Sequence, residues 1–295
     1  MANLKDIRVR MASVESTQKI TSAMKMVSAA KLRRAQNTIL KLRPYANELS
    51  AILADLMSTQ SDGDANPLEE VRAPERVVLV VITSNKGLCG GFNNNVLKRT
   101  EALLSSDYRS QMAAGNVRFI GIGKKANEYL RRKKYPLLSS HESVLDACTF
   151  QEAAGIAEGL MQQFVRKEID KVEIVYNKFK NAATQILTHE QYLPVCFSPD
   201  AEEPAGIKHD FIFEPSREVL YQQLVPSMTK MKFYQSLLES IAAEHGAHMT
   251  AMHKATENAS ELTKQLNLTY NKLRQAAITN ELIEMVSGAE SLKNA

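Results

Sequence analysis

Residues 32–56 read LRRAQNTILKLRPYANELSAILADL, and in them Leu32, Ala35, Ile39, Leu42, Ala46, Leu49, Leu53 and Leu56 recur at alternating spacings of three and four. A repeat of about 3.5 residues keeps one seam of a helix turned toward a partner helix and favours a left-handed supercoil. Upstream, Leu4, Ile7, Met11 and Val14 show the same spacing, while Ile20, Met24 and Val27 continue an apolar stripe in a shifted phase. The stretch from about residue 3 to 58 therefore reads as one helix, roughly 80 Å long at about 1.5 Å per residue. Pro44 removes a helix hydrogen bond and should kink the helix, or end its first half near Arg43.

The other end of the chain answers this one. No proline follows Pro226, and Leu224, Met228, Met231, Leu238, Ala242, Met249, Met252, Ala259, Leu266, Tyr270, Leu273 and Ala277 share one heptad register. Gln235, His245, Thr256 and Thr263 fill the remaining seam positions, where polar residues weaken a pair but help set its register. Gly246 costs such a helix about 1 kcal/mol relative to Ala. Two long amphipathic helices at opposite ends of one chain can pair antiparallel if the middle turns the chain around. The fold class expected is α+β: a long antiparallel two-helix coiled coil formed by the N- and C-terminal helices, with an inserted Rossmann-like α/β domain. The segments are 1–58 (first helix), 75–213 (α/β domain) and 214–295 (second helix). The polar loop Ser58–Pro74 and the exit loop marked by Pro194, Pro199, Pro204 and Gly206 separate them.

Between the helices, strand and helix signals alternate. Val77–Thr83 is a short apolar run suited to a strand buried on both faces. Val117–Ile122, Val172–Tyr176 and about 185–195 read as further strands, and about 124–134 and 150–167 as helices. This alternation predicts a mostly parallel sheet flanked by helices. The turn Gly87-Leu88-Cys89-Gly90-Gly91 follows a strand and precedes helical sequence, which is the context of a phosphate cradle, but its spacing matches neither dinucleotide nor P-loop fingerprints. Glu244, His245, His248 and His253 suggest zinc only superficially, because in H-E-x-x-H the acid follows the first His. No cofactor and no catalytic constellation is expected.

Bulk properties narrow the function classes. The 295 residues carry a net charge of +4, but residues 1–43 hold ten Lys and Arg against two acids, so that end is +8 and seeks an anionic partner. The longest apolar run, Val77–Ile82, is far too short for the roughly 20 residues a bilayer needs, and the N-terminus has no apolar signal core. Three scattered cysteines suggest reduced thiols rather than a disulfide frame. A Rossmann-like nucleotide-binding enzyme and a basic coiled-coil nucleic-acid binder are the alternatives.

Three motifs carry a more specific likeness. Ile7–Val14, Thr17–Val27 and Ala30–Leu32 form the first, the Gly87–Asn93 turn the second, and Tyr270–Ala289 the third, where Ile278, Thr279, Glu281, Glu284, Gly288 and Ala289 fit a signature of I-T-x-E, an acid, then G-A. Together they resemble the γ-subunit family of F-type ATP synthases, from end to end. Asn85 and Lys86 depart mildly from that family's turn, where Asp and Arg are frequent. No cysteine pair marks an inserted loop, so a chloroplast-type redox switch should be absent.

The resemblance implies a non-catalytic rotary stalk, present in single copy, that passes through an α₃β₃ hexamer and also meets the ε subunit and the membrane ring of c subunits. It couples proton flow to ATP synthesis, or the reverse, and bears on regulation of the ATPase. It implies residence on the cytoplasmic face of a bacterial inner membrane without direct insertion, and no nucleic-acid partner. Arg8, Arg10, Lys19, Lys25, Arg33 and Arg34 become candidates to face acidic groups of β. Arg274, Gln275 and Thr279, with Glu281 and Glu284, match an upper contact zone, and Met24 with Lys25 a lower one. Leu282, Ile283, Met285 and Val286 would turn in an apolar sleeve, and the loop about His209–Pro215 would meet the c ring.

Overall fold

The computed structural model of the chain describes residues 4–58, 66–196 and 214–293. Residues 59–65 of the first expected linker, most of the second, and the expected ring contact at His209 lie outside the described residues. The elements in chain order are α1 (Leu4–Ser58), a 3-10 turn (Pro67–Glu69), β1 (Val77–Ile82), α2 (Phe92–Ser106), α3 (Arg109–Ala113) and β2 (Val117–Ile122). There follow α4 (Lys124–Arg132), β3 (Leu137–His141), α5 (Val144–Ala147), α6 (Phe150–Val165), β4 (Lys171–Phe179), β5 (Gln185–Leu193) and α7 (Arg217–Lys293). They divide into two compact units, Ala29–His248 and Met1–Ser28 with Met249–Ala295.

The larger unit is built on a five-stranded sheet in the order β3-β2-β1-β4-β5. β1 pairs parallel with β2 and β4, β2 parallel with β3, and β4 antiparallel with β5. Every residue of β1 is buried, which is why it reads as continuous rather than alternating apolar sequence. Val77, Leu79 and Val81 face a layer that includes Val96, Leu103 and Leu130 of α2 and α4. Val78, Val80 and Ile82 face the other layer, where Leu49, Leu53 and Leu56 of α1 meet Leu160 and Phe164 of α6 and Val225, Phe233 and Leu237 of α7. The mostly parallel sheet is as the alternation implies. β3, Leu-Leu-Ser-Ser-His, has no counterpart in the sequence reading because it is a partly exposed edge strand with little β-forming composition.

Pro44 lies within α1, and the helix neither ends nor restarts there. Seam residues on both sides, Leu42 and Ala46, pack against the core cluster, so lateral burial offsets the single lost hydrogen bond. α7 likewise contains Pro226 and begins nine residues before it, at Arg217.

In the smaller unit, the first part of α1 and the last part of α7 pair antiparallel. Thr21 Oγ1 lies 2.8 Å from Thr256 Oγ1, and Arg8 Nη2 donates to the Tyr270 hydroxyl at 2.7 Å. Numbers rising on one helix meet numbers falling on the other. On α7 the least exposed positions, from Met249 through Met252, Thr256, Ala259, Thr263, Leu266, Tyr270 and Leu273 to Ala277, follow the expected heptad.

On α1 the structure corrects the phase. Among the least exposed residues, Ile7, Met11, Val14, Gln18, Thr21, Lys25 and Ser28 continue the three-four alternation toward Leu32 without a shift, with Ser22 and Met24 half-buried beside them. Ile20 and Val27 are instead each 57% exposed. The helix keeps its geometric period, and where that period falls on small or polar residues they enter the seam and the neighbouring apolar ones are left outside.

Candidate partner-contact surfaces

A Rossmann-like sheet offers ligands the crevice beyond the carboxyl ends of its strands, with phosphate at a helix N-terminus. Here that region is filled by the chain itself. The first free N–H groups of α4 are taken by the end of β1 and the residues after it: Lys124 N donates to Asn85 Oδ1 at 2.9 Å, Lys125 N to the Ser84 carbonyl at 3.2 Å and Ala126 N to Thr83 Oγ1 at 2.7 Å. Gly123, at φ +90, permits this approach: a Cβ there would stand 2.3 Å from the Thr83 carbonyl oxygen. Asn85 also donates through Nδ2 to the Glu142 carbonyl at 2.9 Å and to Asp146 at 3.2 Å. The amide accepts on one side and donates on the other, whereas an ionised Asp can only accept, so the departure from Asp at this position has a local reason.

The Gly-rich turn is also closed. Asn93 Oδ1 accepts from Ser84 N at 2.9 Å, and Asn93 Nδ2 donates to Ser84 Oγ at 2.8 Å. Leu88 (φ 65) and Gly90 (φ 60) reverse the chain, which buries Cys89 and Phe92 against Ala243 and Ala247 of α7. An α7 helix therefore packs where a nucleotide would need open space.

Two of the three histidines of α7 have an acid near by along the helix. His248 Nε2 is 3.5 Å from Glu244 Oε1 and His253 Nε2 is 3.6 Å from Glu257 Oε1, each one turn apart. Burial depresses the pKa of His245. Among the described residues no cluster of His, Cys, Asp or Glu has the arrangement of a metal site.

The residues singled out for partner contact fall into three environments. Arg10, Lys19, Arg33 and Arg34 are exposed on α1 and form no ion pair among the described residues. Arg8 is exposed but committed within the pair: besides its hydrogen bond, its guanidinium carbon lies 5.7 Å from the centre of the Tyr270 ring. Met24 and Lys25 are half-buried, Lys25 at a seam position. Arg274, Gln275, Thr279, Glu281 and Glu284 are all exposed, and Thr279 Oγ1 donates back to the Gln275 carbonyl at 2.9 Å.

Two exposed apolar surfaces stand out. The seam of α7 ends at Ala277, and every residue from 278 to 289 is exposed although the helix continues. Ile278, Leu282, Ile283, Met285 and Val286 are each between 50% and 63% exposed. On α1, Ile20 and Val27 stand one heptad apart outside the seam. Grouped exposed apolar side chains, as at the end of α7, are candidates for contact with another molecule. The first surface was legible from the sequence as an apolar tip. The second was missed, and its signal was the unbroken three-four alternation that places those positions outside the seam.

Comparison with known proteins covers the whole chain. A family model described as ATP synthase matches residues 3–292. An ATP synthase gamma chain of Flavobacterium psychrophilum is 50% identical, with 99% of this chain and 100% of that one covered. The ATP synthase gamma chain of Christiangramia forsetii is 48% identical, with 99% of each covered. Among solved structures, a chain of the Tetrahymena thermophila mitochondrial ATP synthase central stalk and c-ring matches with a TM-score of 0.57 at 27% identity, covering 80% of this chain and 99% of that one. A chain of the Euglena gracilis mitochondrial ATP synthase matches at 20% identity with a TM-score of 0.68, covering 98% of this chain and 94% of that one, a likeness of fold.

Proposed function

The chain belongs to the ATP synthase gamma chain family, and from that premise we propose how its surfaces serve a rotor. It is the non-catalytic central stalk of the F1 sector of an ATP synthase; catalysis takes place on the β subunits. Segments 1–58 and 214–295 form the stalk's helical part and 75–213 its α/β body. The helical tip turns inside an α₃β₃ hexamer, the α/β body meets ε and the c ring, and proton flow through that ring is converted to ATP synthesis, or the reverse. No helix among the described residues is long and apolar enough to cross a membrane; we place the stalk peripherally on the cytoplasmic face of the bacterial inner membrane, held by its partners.

The observation that carries this reading is the α7 tip, which stays helical beyond its last seam residue while leaving its apolar side chains uncovered. A bearing needs such a surface: apolar contact is non-directional, so a helix can rotate against a sleeve without breaking fixed hydrogen bonds. The cations Arg10, Lys19, Arg33 and Arg34, which form no ion pair among the described residues, suit transient contact with acidic groups of β, because an exposed ion pair contributes only about 0–1 kcal/mol and can re-form at each step.

Co-expression with α and β subunits tests the assignment: the wild-type chain should yield a stable ATPase complex. Within it, reversing charge by Arg33→Glu with Arg34→Glu should leave the melting temperature of the isolated chain within about 2 °C, since exposed substitutions are near neutral, while ATP-driven proton pumping falls several-fold. Absence of a complex with the wild-type chain would remove the functional reading, and unchanged pumping by the variant would remove the contact assignment alone.

A further inference from the structure

The Gly-rich turn after β1 and Gly246 in the interior of α7 lie far apart in the sequence. The structure brings both to the same stretch of helix. Cys89 and Phe92 of the turn are 3% exposed each and pack against Ala243 and Ala247, with Phe179 at the end of β4 joining them. On the adjacent side, the tip of the β4–β5 hairpin approaches Gly246 so closely that a Cβ there would lie 3.2 Å from the Ala182 carbonyl oxygen and 3.3 Å from its Cα. These are backbone atoms, which cannot swing aside as the end of a long side chain can. The tip is itself braced, with Asn181 Oδ1 accepting from Ala183 N at 3.0 Å and Thr184 N at 2.7 Å.

Small residues at Ala242, Ala243, Gly246 and Ala247 therefore let two loops of the α/β unit close on α7 from two sides. Elsewhere along the helix, larger residues such as Phe233, Leu237 and Leu238 hold the sheet at side-chain distance. The glycine is unfavourable for the helix alone, and its position beneath the hairpin tip explains why the helix carries it. The site falls in the last turns of α7 within this unit, which ends at His248.

We infer that Gly246 is a positioning residue for rotary coupling: it seats the β4–β5 tip on α7 beside the Gly-rich turn, and this clasp is the grip through which the α/β body and the stalk helix exchange torque. The proposal rests on the rotor reading. A packed clasp transmits a twisting force because close-packed contacts are stiff, whereas a hairpin lifted from the helix lets the body yield while the helix stays behind.

The test uses Gly246→Val and Gly246→Ala in the full chain, alone and assembled with its partners. The valine overpacks the contact, and amide exchange in residues 180–184 should rise about tenfold as the seated hairpin loses population. Protons pumped per ATP hydrolysed should fall several-fold in the assembled enzyme, with alanine giving a smaller change in the same direction. A role confined to folding would lower assembly and hydrolysis together and leave their ratio to pumping intact. If the valine variant does not assemble, the alanine variant carries the measurement. Unchanged exchange at the tip, or an unchanged pumping ratio in the variant that assembles, overturns the proposal; a wild-type chain that fails to couple overturns the rotor reading instead.

Discussion

Replacing Glu173 by Gln should lower the free energy of unfolding at neutral pH by about 3 kcal/mol, because it removes the anion from a buried cluster and leaves the Lys171 ammonium without its partner. Glu173 on β4 is 3% exposed. Its Oε1 lies 2.7 Å from Lys171 Nζ and its Oε2 lies 2.5 Å from His189 Nε2 on β5. Lys171 also donates to the Tyr108 hydroxyl at 3.0 Å. Burial by itself pushes the Glu173 carboxyl up, but hydrogen bonds from His189, Lys171 and Tyr108 outweigh it and bring the pKa from 4.5 down to about 2. A carboxyl depressed in the folded state contributes its full stabilisation above its unfolded pKa and loses it as pH falls through the folded value. The window here runs from about 4.5 down to about 2. Urea unfolding at pH 7 and at pH 2.5 should therefore show the gap between wild type and Glu173→Gln narrowing with acid. A gap that stays constant across those pH values would mean that the charge of Glu173 is not what holds β5 to β4. The hairpin concerned is the one whose tip rests on Gly246, so coupling should weaken in the same variant.

The sequence disclosed the architecture through periodicity and disclosed local chemistry poorly. The heptads of α1 and α7 and the all-apolar β1 were legible because burial on a seam, or on two faces, leaves its period in the residues. β3 was not, since an edge strand buries too little to impose a pattern on Ser139, Ser140 and His141. The Glu173 cluster was not either. Its members are brought together by strand register, which sets His189 opposite Val175 and so diagonal to Glu173, and no spacing in the chain announces such a pairing.

The contact surface was half legible for a related reason. Charge and apolarity can be counted, so the cationic start of α1 and the apolar end of α7 were plain. Which apolar residues face inward depends on phase. Taking hydrophobicity as the guide continued the stripe through Ile20, Met24 and Val27 in a shifted phase, when the helix period there runs through Gln18, Thr21, Lys25 and Ser28, with Met24 half-buried and Ile20 and Val27 outside. Gly246 appeared only as a cost, because its reason is a backbone from another part of the chain.

That distinction of phase has a large and opposite consequence for two residues of similar character on one helix. Leu53→Ala should cost about 3–5 kcal/mol, since Leu53 is 1% exposed, sits in the core beside Leu49 and Leu56, and would leave a cavity walled by β1, α6 and α7. Ile20→Ala should change the stability of the isolated chain by less than about 0.5 kcal/mol, because most of the side chain already faces water. In the assembled complex the order should reverse: Ile20→Ala removes apolar area available to a partner, and its effect should show as weaker retention of the chain by the hexamer. Denaturant unfolding of both variants, followed by their retention in the complex at equal concentration, separates the two roles. If Ile20→Ala destabilised the isolated chain as much as Leu53→Ala, the seam would have shifted phase after all, and the exposed stripe of α1 would be part of the helix pair rather than a surface for another subunit.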